Sequence, residues 1–383
     1  MRILIAPDSF KHCLPGVKVA DALASGIKSV LEDVEINTIP LADGGEGTVQ
    51  ALVAATGGKK RRIKAHDPLM RDIEAEYGII YENTAVIEMA AASGLELLSH
   101  EERNPMITTT YGTGELIRDA VEQGFSKIIV GVGGSATNDG GAGMAEALGA
   151  RLLDKNDEPL DKGGGQLGSL FRVDLYGLMP ELKNVEITVA VDVKNLLTGK
   201  NGASMVYAAQ KGANPNMVDD LEKNLIHFAN ILEETTGRKF RDIEGSGAAG
   251  GLAAGLVGFL GASIGKGFEM ISELVHLEEL IKKADLVITG EGQIDKQTGF
   301  GKTPYGVATL ARKYHKQIVG FAGTLGEGYE TLLGAYFDNL YPITEKPVRL
   351  EEALHDAYPL LQKAAARMAR SFLIGSRFTT IRE

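Results

Sequence analysis

The chain has 383 residues, 44% hydrophobic and 24% charged, with a formal net charge of −11. This is the composition of a globular protein long enough for two or three domains, and it argues against a general nucleic-acid or anionic-membrane surface. Cys13 is the sole cysteine and tryptophan is absent, which excludes an intrachain disulfide and a multi-thiolate zinc site and disfavours base-stacking platforms.

The opening M-R-I-L-I-A-P-D is too short and too soon acidic for a signal peptide, so a cytoplasmic location is expected. Residues 2–6 read as a buried strand ended by Pro7. A helix over about 17–31 follows, with Val19, Leu23, Ile27 and Val30 at helical spacing. A second strand over 34–40 leads into the loop 42–48 and a helix to about 55. This is β-loop-α twice, the opening of a parallel α/β sheet whose ligands bind at the carboxyl ends of the strands. Residues 73–89 then read as a hairpin turning near Glu82-Asn83. Further on come a strand over 127–130, a glycine loop, a strand over 185–191, the segment Gln210-Lys211-Gly212 and a polar helix over about 217–234. The run 245–265 is uncharged and as long as a membrane span. Its Gly/Ala content reads better as a tightly packed buried helix.

Near Asp285 the opening pattern returns. A strand over 285–288 ends in T-G-E-G-Q-I-D, and a helix over about 305–314, strands over 317–321 and 339–343 and a helix over about 350–369 close the chain. The predicted fold class is α/β. Residues 1–65 and 281–383 form a discontinuous doubly wound (Rossmann/flavodoxin-like) parallel-sheet domain, and 66–280 form an inserted α/β domain. The active site is expected in the cleft between them.

The stretch from Lys127 to Gly143 is the most informative. A short apolar strand is followed by Gly131, Gly133, Gly134, Gly140, Gly141 and Gly143, with Ser135, Thr137, Asn138 and Asp139 among them, and then by helix-forming M-A-E-A-L. Strand, glycine loop and helix N-terminus form an arrangement that can hold a phosphate. Two other readings stay open at this point. Gly131 to Ala136 satisfies a loose dinucleotide fingerprint, with Asp154 as ribose-binding acid, and the loop could be purely structural.

Gly301-Lys302-Thr303 looks like the end of a Walker A loop, but Lys296 stands where that motif needs glycine. The P-loop is therefore excluded, and Lys302 is left as a point charge for a phosphate. Glycine-flanked acids recur at predicted strand ends: Asp43 and Glu46, Asp139, Asp192, Glu291 and Asp295. Such carboxylates suit Mg²⁺, which takes one or two of them with phosphate oxygens and water. Lys11, Arg71 and Lys211 lie beside turn residues, as carboxylate- or phosphate-recognising cations would. The Ser-His-Asp order, the G-x-S-x-G elbow and the H-E-x-x-H helix are all missing. Phosphoryl transfer needs a phosphate cradle, cations, Mg²⁺ and a carboxylate for the hydroxyl proton, and the sequence supplies these.

Taken together, A-P-D-S-F-K (6–11), A-D-G-G-E-G-T (42–48), I-E-M-A-A-A-S-G-L (87–95), Y-G-T-G-E-L (111–116), G-G-S-A-T-N-D-G-G-A-G-M (133–144), D-V-K-N (192–195), Q-K-G-A (210–213), G-A-A-G-G (247–251) and I-T-G-E-G-Q-I-D (288–295) resemble the bacterial glycerate kinase family. This is the type that includes glucarate- and glyoxylate-pathway enzymes. The likeness runs along essentially the whole chain. It implies ATP- and Mg²⁺-dependent phosphorylation of D-glycerate, usually to 2-phosphoglycerate, with no nucleic-acid or membrane partner. Homodimerisation, formation of 3-phosphoglycerate and a dehydrogenase built on the dinucleotide reading remain alternatives.

Individual roles are assigned from chemistry and position. Asp192 accepts the hydroxyl proton and Lys302 offsets developing charge. Asp8, Ser9, Lys11 and Arg71 bind substrate. Gly133, Gly134, Ser135, Thr137, Asn138, Asp139, Gly140, Gly141 and Lys211 bind the nucleotide phosphates. Asp43, Glu291 and Asp295 hold Mg²⁺.

Overall fold

The computed structural model describes residues 1–11, 13–296, 298–300, 302–346 and 348–380; Gly301 of the Walker-like G-K-T lies outside the described residues. The chain falls into two compact units. The first comprises Met1–Asp43, Gln50–Gly57 and Phe268–Glu383, and the second Gly44–Val49 and Gly58–Gly267. The change of unit falls inside the helix Thr48–Thr56.

The first unit is built on a five-stranded, all-parallel sheet. Its order in space is Asn339–Pro342, Gln317–Leu325, Leu286–Ile294, Arg2–Ile5 and Glu35–Thr38. Ile3, Leu4 and Ile5 are all buried, the unbroken apolar run of a strand covered on both faces. From Arg2–Ile5 the chain winds outward one way to Glu35–Thr38, while the later strands wind the other way. The order therefore reverses between Arg2–Ile5 and Leu286–Ile294, the switch point at which such sheets bind ligands.

The helix Gly16–Lys28 turns Val19, Leu23 and Ile27 into a core shared with Leu361, Ala365 and Met368 of the helix Ala357–Thr380. Gly26 is the point of closest crossing. A Cβ there would stand 2.2 Å from the Gln362 carbonyl oxygen, so any side chain would force the helices apart.

The second unit carries a six-stranded mixed sheet, ordered Ser263–Lys266, Glu186–Val191, Lys127–Gly131, Thr84–Glu88, Asp72–Ile80 and Lys59–His66. The first four strands run parallel to one another, and the last three form an antiparallel meander. The expected hairpin is present, with Asp72–Ile80 against Thr84–Glu88. Its neighbour Lys59–His66 was not anticipated. That edge strand reads K-K-R-R-I-K-A-H, and Lys60 and Arg62 pair with Glu76 and Glu74 across the ladder. The uncharged run 245–265 resolves into a 3₁₀ turn Ala248–Gly251, a helix Leu252–Leu260 buried through Phe259, and the strand Ser263–Lys266. Among the described residues no helix is long and apolar enough to cross a membrane.

Candidate active site

In the first unit the carboxyl edge of the parallel sheet gathers the acidic loops. Ala6 and Asp8 extend the pairing of Arg2–Ile5 with Leu286–Ile294 through N–H bonds to the Ile288 and Gly290 carbonyls. The Thr289 hydroxyl donates to the Ala6 carbonyl at 2.7 Å. This fixes Asp8, just beyond Arg2–Ile5, beside Glu291, which lies within the strand Leu286–Ile294 rather than in the loop expected from residue 289 onward. Asp8, Ser9, Lys11, Asp43, Glu291 and Lys302 all line one cavity of about 720 Å³.

Asp8 and Asp43 are both buried, at 6% and 8% exposed. Burial first, and then the like charge of Asp43, push the Asp8 carboxyl up to about 7. The Thr303 hydroxyl, the Ser9 N–H at 2.6 Å and the Lys11 charge act the other way. Glu291 is also raised by burial, opposed chiefly by Lys302. It accepts a 2.7 Å bond from the Thr298 hydroxyl and pairs with Lys302 at 3.5 Å. A site that confines like charges in a low-dielectric wall gains from a ligand carrying compensating charge.

The central glycine loop, in the second unit, behaves differently. Asp139 is 1% exposed. It accepts from Thr110 N and Thr110 Oγ1, each at 2.8 Å, from Gly141 N at 3.1 Å and from Gly143 N at 3.2 Å. Met144 N donates to Thr110 Oγ1, and Ala142 N to the Asp139 carbonyl. The first N–H groups of the helix Ala142–Ala147 are thus spent on partners within the chain. Lys211 is 1% exposed, and its Nζ donates to Ser135 Oγ and the Thr137 carbonyl, each at 2.6 Å. Burial lowers its pKa to about 7 against the pull of Asp139. Asn138 Nδ2 donates to Ser204 Oγ at 3.0 Å. Gly134 takes φ +72° and its carbonyl accepts from Leu95 N, while Gly133 backs onto Gly45.

Of the residues expected to cradle a phosphate (Gly133, Gly134, Ser135, Thr137, Asn138, Asp139, Gly140, Gly141 and Lys211), the structure engages the Asp139 carboxylate, the Lys211 ammonium and the N–H groups of Gly140 and Gly141 within the chain. Asp139 caps the helix from within, while Thr137 Oγ1 and Asn138 Oδ1 of the same loop are buried without a hydrogen-bond partner among the described residues.

The dinucleotide reading also gives way. Residues Arg151–Leu153 pair antiparallel with Arg172–Asp174 in a separate ribbon, not as the next parallel strand. Asp154 accepts from its own turn, at Asn156 N and Glu158 N. Arg71 is engaged by Asp67 at 2.5 Å and Glu102 at 2.6 Å, which leaves its guanidinium committed to the chain itself. Asp295 accepts from the Gln293 amide at 2.6 Å and from Thr298 N at 3.3 Å. Among the described residues no group of three or more His, Cys, Asp or Glu is arranged to hold a metal, so Asp43, Glu291 and Asp295 do not form a cage. Asp192 is exposed, directly after the strand Glu186–Val191; the pKa of the Tyr207 hydroxyl is raised first by its burial and then by the Asp192 charge.

Sequence reasoning overlooked the buried hydroxyls Thr110, Thr298 and Thr303. The run T-T-T at 108–110, before a helix and wholly buried, was the one available signal for the first. Thr303 stood in the Walker-like G-K-T without being given a role, and nothing local distinguishes Thr298.

The family model for the "Glycerate kinase family" matches residues 3–373. A glycerate kinase of Halalkalibacterium halodurans is 47% identical over 368 residues, covering 96% of this chain and 97% of the relative. A glycerate 2-kinase of Escherichia coli is 45% identical over 378 residues, covering 98% and 99%. The crystal structure of a protein designated glycerate kinase 2 from Salmonella typhimurium LT2 matches with a TM-score of 0.88 at 43% identity, covering 98% of this chain and 99% of that one. A switch-point cavity rich in acids and lysines, sequence identity sustained along nearly the whole chain, and the same fold in a solved relative together place this chain in the glycerate kinase family.

Proposed function

We propose that the chain transfers the γ-phosphoryl group of ATP to D-glycerate and releases 2-phosphoglycerate. The observation that carries this reading is the convergence of Asp8, Lys11, Asp43, Glu291 and Lys302 on one switch-point cavity in a member of the glycerate kinase family. Phosphoryl transfer is served mainly by positioning and by fixed charge, with little covalent chemistry asked of the protein. Lys11 and Lys302 supply positive charge toward the transferred group. Lys302 is held within 3.5 Å of Glu291, which is itself fixed by Thr298. Ser9 and Lys11 are the groups of the cavity suited to the glycerate carboxylate.

The donor set fits Mg²⁺ at one place. Asp8 and Asp43 are buried carboxylates that repel each other, and Mg²⁺ needs only one or two carboxylates when phosphate oxygens and water complete its shell. Bound there, Mg²⁺ would neutralise phosphate charge. Asp192 is proposed as acceptor of the substrate hydroxyl proton. Its exposure after a strand end supports the role, which Asp139, saturated by internal donors, could not fill. A coupled assay for ADP release with D-glycerate tests the reaction, and phosphorus NMR of the product tests the position. No ADP release would refute the activity, and 3-phosphoglycerate would refute the regiochemistry.

A further inference from the structure

We propose that the apolar half of the first unit's cavity receives the purine ring of the phosphate donor, whose phosphates then reach the Lys11 and Lys302 end. This rests on the kinase reading and goes beyond it by naming the donor's own subsite. Besides the acids and lysines, the cavity is lined by an apolar set from one stretch of chain: Ile343 beyond the strand Asn339–Pro342, Ala353 and Leu354 of the helix Leu350–His355, and Ala357, with Thr344 and Lys346 as the polar members of that stretch.

D-glycerate has no apolar surface to offer such a wall, and putting its hydroxyls against it would cost hydrogen bonds to water. A cavity of about 720 Å³ lies in the range taken by cofactor-sized ligands, mostly apolar with a few convergent polar groups. Its position matches as well, since the carboxyl edge at a switch point is where open parallel sheets bind nucleotides. The wall is held as a unit: the Cys13 thiol donates to the Leu354 carbonyl at 3.1 Å and ties the loop after Asp8 to the helix. In the second unit's glycine loop, by contrast, Lys211 and the first N–H groups of the helix are engaged internally.

Two variants of the full chain test this. Ala353→Phe fills the apolar wall and should raise KM for ATP by about tenfold or more, with KM for D-glycerate little changed. An unchanged KM for ATP in a folded, active variant would overturn the assignment. Because the chain has no tryptophan, Leu354→Trp provides a single emitter in the wall. ADP and adenosine should each change its emission, and D-glycerate alone should not. The reverse pattern, or silence with both ADP and adenosine, would overturn the proposal even if Ala353→Phe failed to fold. Should the unmodified chain release no ADP with D-glycerate, the kinase reading fails instead, and the tryptophan titration still decides the subsite.

Discussion

Asp8 and Asp139 are both buried carboxylates in loops that follow a parallel strand, and their surroundings are opposite. Asp139 has five donor contacts from its own chain, two of them from N–H groups at the start of a helix. Asp8 faces another carboxylate across a cavity and is driven toward neutrality. Buried position alone therefore does not mark a ligand group. The discriminating feature is whether the fold completes the acid's hydrogen bonding itself or leaves like charges to be compensated from outside.

This contrast can be broken by experiment. The largest effect is expected for Asp192→Asn, with turnover falling ~10²–10⁴-fold if this side chain takes the substrate proton; near-normal turnover would remove it from the mechanism. Asp139→Ala should act on stability first. Removing a carboxylate that holds five donor contacts leaves buried groups unmatched, and a loss of ~3–5 kcal/mol is expected in urea unfolding. A stable variant that had lost only ATP affinity would instead restore the loop as a phosphate site. Lys302→Ala reverses that balance. Its side chain is 42% exposed, so the melting temperature should hardly move while kcat falls ~10²-fold. Gly143→Ala is smaller. Its Cβ would lie 2.0 Å from Thr109 Oγ1, and overpacking of this kind costs ~1–3 kcal/mol, readable by thermal denaturation.

A pair of opposed pH slopes is expected as well. Asp8 is raised from its ordinary 3.8 to about 7, so its contribution to stability is whole below 3.8 and is lost as pH rises through about 7. Lys211 is lowered from 10.5 to about 7, so its contribution is present above 10.5 and is lost as pH falls through about 7. Their sum has a minimum near neutrality. Excess Mg²⁺ should flatten only the acidic limb if Asp8 and Asp43 bind it, which chemical denaturation across pH with and without the metal would reveal.

Much of the first unit was legible because R-I-L-I and L-V-I-T are unbroken apolar runs followed by glycine-flanked acids, and physics ties both to buried parallel strands with ligand-facing ends. Lys59–His66 was not legible as a strand. Alternation hides where nearly every position is basic, and its pairing is set by acids that lie in the neighbouring strand. The glycine loop was legible only in part, for a different reason. Its residues advertise donors and anion-friendly turns, but sequence does not show that Asp139 takes those donors first. Lys211 likewise reads as a loop cation, and only packing reveals that it is sealed against Ser135 and Thr137.

The basic rim strand has a consequence for how concentrated this enzyme can become. An unprotected sheet margin invites identical margins to dock and extend, one chain upon another. Here each approaching copy would bring Lys59, Lys60, Arg61, Arg62 and Lys64 against the same five cations, so the residues that obscure the strand also discourage runaway stacking in a crowded solution.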